Sequence, residues 1–310
     1  MKLFIYSSLD EAMRADLEKQ LPAAIEPVYK DALSGGQLAD AFRSAEIIMG
    51  NPPVEWFDQA PARLALWQLD SAGFEKYRHL HLDAAIANMG DFFARPCAET
   101  MVGGILAFYR YIHVLVRRQD RKEWLGSKIR LQLDLLGNKK AIILGAGSIG
   151  QAVRQMLVGF GTQVKMTARR NPNADIHSFE ALLEALPETD LVINTLPGGL
   201  EKYVSEKFIQ AMKPGSLYAS VGRGSTTDEK ALVAALQTGR LAGAVLDVTE
   251  QEPLPTSSPL WDMENVILTQ HTGGGYMAET EGKVQQLVRN VNRLLQGEEI
   301  ENRINLSQGY

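Results

Sequence analysis

The chain has 310 residues, of which 45% are hydrophobic, 22% charged and 7% aromatic; this is enough apolar material for one or two buried cores and excludes both a disordered chain and a small disulfide-stapled scaffold. Its 32 Lys and Arg against 37 Asp and Glu leave a formal charge of −5, so no global field attracts nucleic acid or an anionic membrane, and any anion must be bound locally. The one cysteine, Cys97, excludes an intramolecular disulfide and a cysteine-rich zinc site; no metal is expected, and a reducing cytoplasm is the expected compartment.

Residues 1–6 move directly into a short strand pattern, with no signal-peptide core or cleavage site, so no export is expected. Short β-branched or apolar runs then alternate with helix-period segments almost from end to end, the signature of parallel sheets covered by helices. A first series of strands is predicted at 3–6, 25–29, 46–49, 65–69 and 84–88, with helical stretches such as 9–20 between several of them. Residues 96–124 read as one long helix suited to crossing between domains. The most apolar stretch, 101–116, is broken by Arg110 and His113 and falls short of the ~20 residues that span a bilayer. A second series of strands follows at 140–144, 163–167, 191–195, 216–221, 244–248 and 266–269, and a second crossing is expected near 278–295. The predicted fold class is α/β, with two doubly wound parallel-sheet domains: residues 1–100 and 281–310 form one, and residues 101–280, with the linker helix, form a Rossmann domain inserted into it. The active site is expected in the cleft between them.

The run Gly145-Ala-Gly147-Ser148-Ile149-Gly150 places G-x-G-x-x-G between a strand and a helix. The first glycine permits the tight turn, the second lets a pyrophosphate approach the backbone, and the third lets helix and strand pack closely. The helix amino terminus then offers N–H groups and a favourable dipole to the anion. A dinucleotide is the expected ligand; a purely structural turn or an adenosyl-type ligand is the alternative. The next strand ends at Thr167, where NAD enzymes place an acid for the ribose 2′-hydroxyl. Here the residue is Ala168, followed by Arg169 and Arg170, which suit a 2′-phosphate and predict NADP(H) over NAD(H). Two solvated arginines in a surface turn are the alternative.

Three further segments end late strands: Ser220-Val-Gly-Arg223-Gly, Leu246-Asp247-Val-Thr-Glu-Gln-Glu252-Pro-Leu, and Thr269-Gln-His271-Thr-Gly-Gly. They bring a fixed cation, a carboxylate and an imidazole to the end of the sheet where such folds bind ligands. This set suits reduction of a 2-oxo acid, because one group must hold the carboxylate, one must protonate the carbonyl oxygen, and one must orient the proton donor. His79, His81, His113 and His177 have no comparable setting and are read as structural.

With those motifs in order after the glycine turn, the chain resembles the D-2-hydroxyacid dehydrogenase family over essentially its whole length. Asn51-Pro-Pro-Val-Glu-Trp56 is similar in character to the NADP-dependent glyoxylate/hydroxypyruvate reductase branch. The resemblance implies a flavodoxin-like substrate domain and reduction of a small 2-oxo acid to the D-hydroxy acid. It implies that Arg223 binds the substrate carboxylate and carbonyl oxygen, that His271 is the general acid and base, and that Glu252 pairs with it. Asp247 is expected near the nicotinamide carboxamide, with a structural turn carboxylate as the alternative, and Leu196 and Pro197 beside the cofactor. Ser71-Ala72-Gly73 matches the family loop whose backbone N–H groups bind the substrate carboxylate. Trp56 is read either as a substrate contact or as core packing, while Asn88, Gly90 and Glu99 are read as interdomain architecture. Two departures stand out: Ser220 where many members have Asn, and Gly198-Gly199 in place of a more polar loop. A homodimer is implied, through the nucleotide domain and the helix over 100–124. The competing readings are a dehydrogenase of a different or larger acid and a nucleotide-gated, corepressor-like binding protein.

Overall fold

In a computed structural model that describes residues 1–308, the chain divides into two units, Met1–Phe92 with the chain from Tyr276 onward, and Phe93–Gly275. Both are α/β, each with a sheet whose strands all pair in parallel and with helices on its faces; in the first unit an antiparallel bridge from Ala87 to Arg303 adds one contact at the edge. The unit boundaries fall at Phe92 and Gly275, against the sequence expectation of 100 and 280.

In the first unit, strands β1 (Lys2–Ile5), β2 (Glu26–Tyr29), β3 (Ile47–Met49), β4 (Leu66–Gln68) and β5 (Ala85–Ala87) lie in the order β2-β1-β3-β4-β5, the flavodoxin-like arrangement. Alternate residues serve two cores, as the period of two in a strand requires. Leu3, Ile5, Ile47, Met49 and Leu66 face α1 (Glu11–Gln20) and the last long helix, α9 (Glu279–Gln296). Phe4, Ile48, Trp67 and Ile86 face an aromatic cluster containing Phe42 of α2 (Gly36–Arg43), Phe57 and Tyr77. Helix α1 begins where Asp10 accepts the Met13 N–H at 2.8 Å. Helix α9 buries Val284, Leu287, Val288 and Val291, a stripe at i, i+3, i+4 and i+7, and ends at Gly297 in a left-handed conformation.

The second unit opens with α3 (Ala94–Tyr109) and α4 (Ile112–Asp120) and continues through β6 (Lys140–Leu144), α5 (Ser148–Gly159), β7 (Gln163–Thr167), α6 (Phe179–Ala185), β8 (Leu191–Asn194), α7 (Glu206–Ala211), β9 (Leu217–Ser220), α8 (Glu229–Gln237), β10 (Gly243–Leu246) and β11 (Val266–Leu268). The order is β11-β10-β9-β8-β6-β7, and a single parallel bridge from Thr167 to Ile176 marks one more position beyond β7. Counting that bridge as the third position, the order is 3-2-1-4-5-6-7, the Rossmann order 3-2-1-4-5-6 with β11 added at the far edge, and the switch point lies between β6 and β8. Four-residue β8 is wholly buried because helices cover both faces of the sheet.

The long helix expected over 96–124 is two helices. Tyr111 takes a left-handed conformation, φ 54°, and separates α3 from α4. Helix α3 buries Cys97, Ala98, Met101, Val102, Ile105 and Tyr109 against the sheet, whereas α4 has no buried residue. Core contact ends with Tyr109, and the chain turns there without the Gly or Pro that would have announced it. Among the described residues no helix is long and apolar enough to cross a membrane.

Candidate active site

The glycine turn leaves β6 as its sequence requires. Gly145 has φ 100°, a conformation that L side chains rarely adopt, and its N–H donates to the Thr167 carbonyl and to Thr167 Oγ1, each at 3.2 Å. A Cβ on Gly150 would lie 2.6 Å from the Gly145 carbonyl oxygen, so only glycine lets α5 approach β6 this closely. A Cβ on Gly147 would meet nothing, and Gly147 and Ser148 are exposed, while Ile149 is half-buried. The first N–H groups of the 12-residue α5 are therefore presented without a side-chain cap, an arrangement that fits a dinucleotide pyrophosphate. Ala168 is half-buried, and Arg169 and Arg170 are exposed in the turn that follows β7. No acid occupies 168–170.

At the other edge of the same sheet, His271 and Glu252 form a pair. His271 Nδ1 lies 2.6 Å from Glu252 Oε2, and Glu252 Oε1 accepts the Thr249 N–H at 3.0 Å. A carboxylate only accepts, so Nδ1 carries the proton in the neutral ring and Nε2 is the atom that exchanges one. His271 has φ 55° in a tight turn, as does Gln270 before it. Asp247 holds that turn: it is 4% exposed, and its Oδ1 accepts from Thr269 Oγ1 at 2.6 Å, the Thr272 N–H at 3.1 Å and the Gly273 N–H at 3.0 Å. Its own carbonyl accepts the His271 N–H. A cavity of about 420 Å³, walled by Leu246, Pro253, Leu254, Trp261 and Leu268, opens beside the pair.

Arg223 begins the loop after β9 and is half-buried, with Nη1 donating to the Gly222 carbonyl at 3.0 Å. Gly222 and Gly224 on either side leave no room for a Cβ: one on Gly222 would overlap the Leu196 backbone, and one on Gly224 the Thr249 carbonyl. The Arg223 loop thus seats against both the Leu196-Pro197 segment and the turn that supplies Glu252. Cys97, on α3, feels Arg223 and Asp247 together: burial first, and then Asp247, push its thiol up to about 11, while Arg223 opposes them. The thiol stays protonated and unreactive at neutral pH.

Beneath this surface lies a buried polar cluster that sequence reasoning missed. Asn194 Nδ2 donates to Thr226 Oγ1 at 2.7 Å and to Tyr218 Oη at 3.0 Å, and Asn194 Oδ1 accepts the Leu196 N–H at 3.0 Å. Thr226 Oγ1 in turn donates to the Arg223 carbonyl at 2.6 Å. Asn194, Tyr218 and Thr226 are fully buried, so their satisfied polar groups fix the backbones of Leu196 and Arg223 relative to each other. The signal available was an asparagine ending an otherwise apolar strand, which must find buried partners.

In the first unit, the loop 70–73 is tightly braced. Asn51 Nδ2 donates to Ser71 Oγ at 3.0 Å, Ser71 Oγ donates to the Gly73 carbonyl at 2.7 Å, and Asn88 Nδ2 donates to the Ala72 carbonyl at 2.6 Å. Trp56 packs among Phe4, Tyr6 and Phe42, with ring centroids 5.3–6.4 Å away, and so belongs to the aromatic cluster. Glu99 is exposed and pairs with Arg95 on the same helix. His79 and His81 are exposed, and His113 stacks on Phe108 with burial lowering its pKa. His177 Nδ1 donates to the Ala168 carbonyl at 2.8 Å, bracing the arginine turn.

A family model for the NAD-binding domain of D-isomer specific 2-hydroxyacid dehydrogenases matches residues 102–273. The chain is 30% identical to glyoxylate/hydroxypyruvate reductase B of Erwinia tasmaniensis over 97% of this chain and 98% of that protein. Among solved structures, it is similar to a D-isomer specific 2-hydroxyacid dehydrogenase family protein from Aeromonas salmonicida, with a TM-score of 0.84 and 26% identity over 98% of this chain and 99% of the other. It is also similar to a D-isomer specific 2-hydroxyacid dehydrogenase from Xanthobacter autotrophicus Py2 in complex with NADPH and MES, with a TM-score of 0.82 and 25% identity over 100% and 99%.

Proposed function

Because the chain belongs to the D-isomer specific 2-hydroxyacid dehydrogenase family, we propose that it reduces small 2-oxo acids, glyoxylate and hydroxypyruvate, to D-2-hydroxy acids with NADPH preferred over NADH. The observation that carries this reading is the Glu252–His271 pair at 2.6 Å, held by Asp247 and locked through Gly224 to the loop of Arg223. The similarity to glyoxylate/hydroxypyruvate reductase B supports the substrate class.

His271 is the general acid: Glu252 fixes Nδ1–H and stabilises the imidazolium, and Nε2 gives its proton to the carbonyl oxygen as that oxygen gains charge. Arg223 binds the substrate carboxylate and stabilises the developing oxyanion; its guanidinium stays charged throughout, so it needs no proton bookkeeping. When bound, the reduced nicotinamide supplies the hydride for the carbonyl carbon. Asp247 serves the turn that carries His271, and the nicotinamide carboxamide is its proposed second partner. The Ser71-Ala72-Gly73 loop is proposed to offer its backbone N–H groups to the substrate carboxylate; the bonds from Asn51 and Asn88 support this by holding the loop rigid.

Gly145, Gly147, Ser148, Ile149 and Gly150 are the proposed pyrophosphate cradle, with Thr167 and Ala168 beside the ribose and Leu196 and Pro197 beside the nicotinamide. Arg169 and Arg170 are assigned the 2′-phosphate, supported by the absence of an acid at 168–170 and by the NADPH complex of the Xanthobacter relative. A homodimer is part of the proposal. Its support is the run of exposed apolar side chains from α4 onward, Ile112, Leu115, Val116, Trp124 and Leu131, the last two 95% and 99% exposed.

The test is the loss of nicotinamide absorbance with NADPH, then with NADH, against glyoxylate, hydroxypyruvate, pyruvate and a bulky 2-oxo acid. Rapid turnover of the two small acids with NADPH supports the proposal. Turnover of only the bulky acid, or none despite NADPH binding, contradicts it.

A further inference from the structure

The proposed cofactor cradle is made of two separate turns, 145–148 after β6 and 168–173 after β7. One side chain fastens them together. Asn171 Nδ2 donates to the Ala146 carbonyl at 3.2 Å, while Asn171 Oδ1 accepts the Asn173 N–H at 3.0 Å. The other end of the arginine turn is fixed separately, where the Ala168 N–H donates to the Ile176 carbonyl at 3.0 Å and His177 Nδ1 donates to the Ala168 carbonyl at 2.8 Å. Arg169 and Arg170 thus project from a short span pinned at Ala168 by the returning chain and at Asn171 by the glycine turn.

We propose that Asn171 is a positioning residue for cofactor discrimination, setting the spacing between the backbone that takes the pyrophosphate and the two arginines that take the 2′-phosphate. The inference rests on the NADPH reading above. Both arginines are exposed and long, so without a fixed span beneath them their side-chain entropy opposes a defined grip on the phosphate. The glycine turn does not depend on Asn171. Thr167 holds the Gly145 N–H with both its carbonyl and its hydroxyl, and Gly150 packs on the Gly145 carbonyl. Removing the Asn171 amide therefore releases the arginine turn and leaves the pyrophosphate cradle in place. The amide is also neutral, so it donates to Ala146 without adding a negative charge beside a phosphate.

The experiment compares dissociation constants of NADPH and NADH, read by nicotinamide fluorescence, for the wild type and Asn171→Ala, each alone and with Arg169→Ala and Arg170→Ala. Asn171→Ala should weaken NADPH about threefold to tenfold, the range of one net hydrogen bond, and leave NADH essentially unchanged. With both arginines already removed, Asn171→Ala should change neither constant, because it acts through them. An equal loss for both cofactors, or a further loss in the arginine-free background, would show a merely structural bond and overturn the inference. A wild-type preference for NADPH retained in full by Asn171→Ala overturns the inference alone, whereas a wild type without preference overturns the NADPH reading and the inference with it.

Discussion

Gly224 sits so close to Thr249 that any β-carbon would overlap the Thr249 carbonyl, and this contact joins the loop of Arg223 to the turn that supplies Glu252. Arg223, the cation proposed to bind the substrate carboxylate, and Glu252, the partner of the imidazole, are thus joined through one backbone contact. Gly224→Ala must push the two loops apart, because the obstacle is backbone and cannot swing away. The expected cost is about 1–3 kcal/mol, the usual penalty of overpacking. A thermal melt should show Tm lower by about 2–4 °C for each kcal/mol, and kcat/KM for the 2-oxo acid should fall along with it. A variant with unchanged Tm and turnover would contradict the lock.

Glu252 uses its two oxygens for two different N–H donors, Thr249 N–H at 3.0 Å and His271 Nδ1 at 2.6 Å. Glutamine has a single amide oxygen, so Glu252→Gln must turn its NH₂ toward one of those donors and also removes the charge that stabilises the imidazolium. Steady-state kinetics should show kcat lower by about a hundredfold or more, while NADPH binding is retained. Full turnover in Glu252→Gln would remove the carboxylate from the mechanism.

Arg169 and Arg170 are exposed in a turn with no acid at 168–170, the proposed ribose position. The double Arg169→Ala, Arg170→Ala variant should weaken NADPH more than tenfold, since charge-assisted bonds to a phosphate contribute about 1.5–3 kcal/mol each, and should leave NADH nearly untouched. Titration of both cofactors measures it, and equal effects would contradict the assignment.

In the first unit, Glu301 accepts from Arg289, Arg293 and Gln286 on α9, and the bond from Arg289 above all holds its carboxyl below the ordinary value of 4.5. A carboxylate with a lowered folded pKa stabilises the fold fully above its unfolded value and loses that contribution as the pH falls through the folded one. Glu301→Gln should therefore melt below the wild type at neutral pH, and the gap should close as the pH falls from 4.5 downward. A gap that stayed constant with pH would show that the charge is not responsible.

The strands were legible because buried parallel strands read as short apolar runs; β6 and β7 fall on 140–144 and 163–167 as expected. The glycine turn was equally legible, since Gly145 and Gly150 are demanded by φ and by contact. The motif residues Glu252 and His271 do come together. The sequence was silent on the break at Tyr111, because a left-handed tyrosine has no propensity signal and the break follows from where contact with the sheet ends. The Asn194–Thr226–Arg223 cluster was also hidden, because its members come from different strand ends, and only the sheet order makes them neighbours. Several residues predicted as strand, Thr195, Val221, Asp247 and Thr269 among them, lie just past the strand ends, in the turns that carry the site. The Ile176 bridge, one residue long, was too short to leave a pattern.

The most direct test of the central claim is the turnover of NADPH with hydroxypyruvate and glyoxylate by the wild type and His271→Ala side by side, with NADPH binding measured on both. Reduction by the wild type and a loss of about 10²–10⁴-fold in His271→Ala, at unchanged NADPH affinity, is the predicted result. Equal turnover by the two proteins, or none by a wild type that binds NADPH, would contradict it.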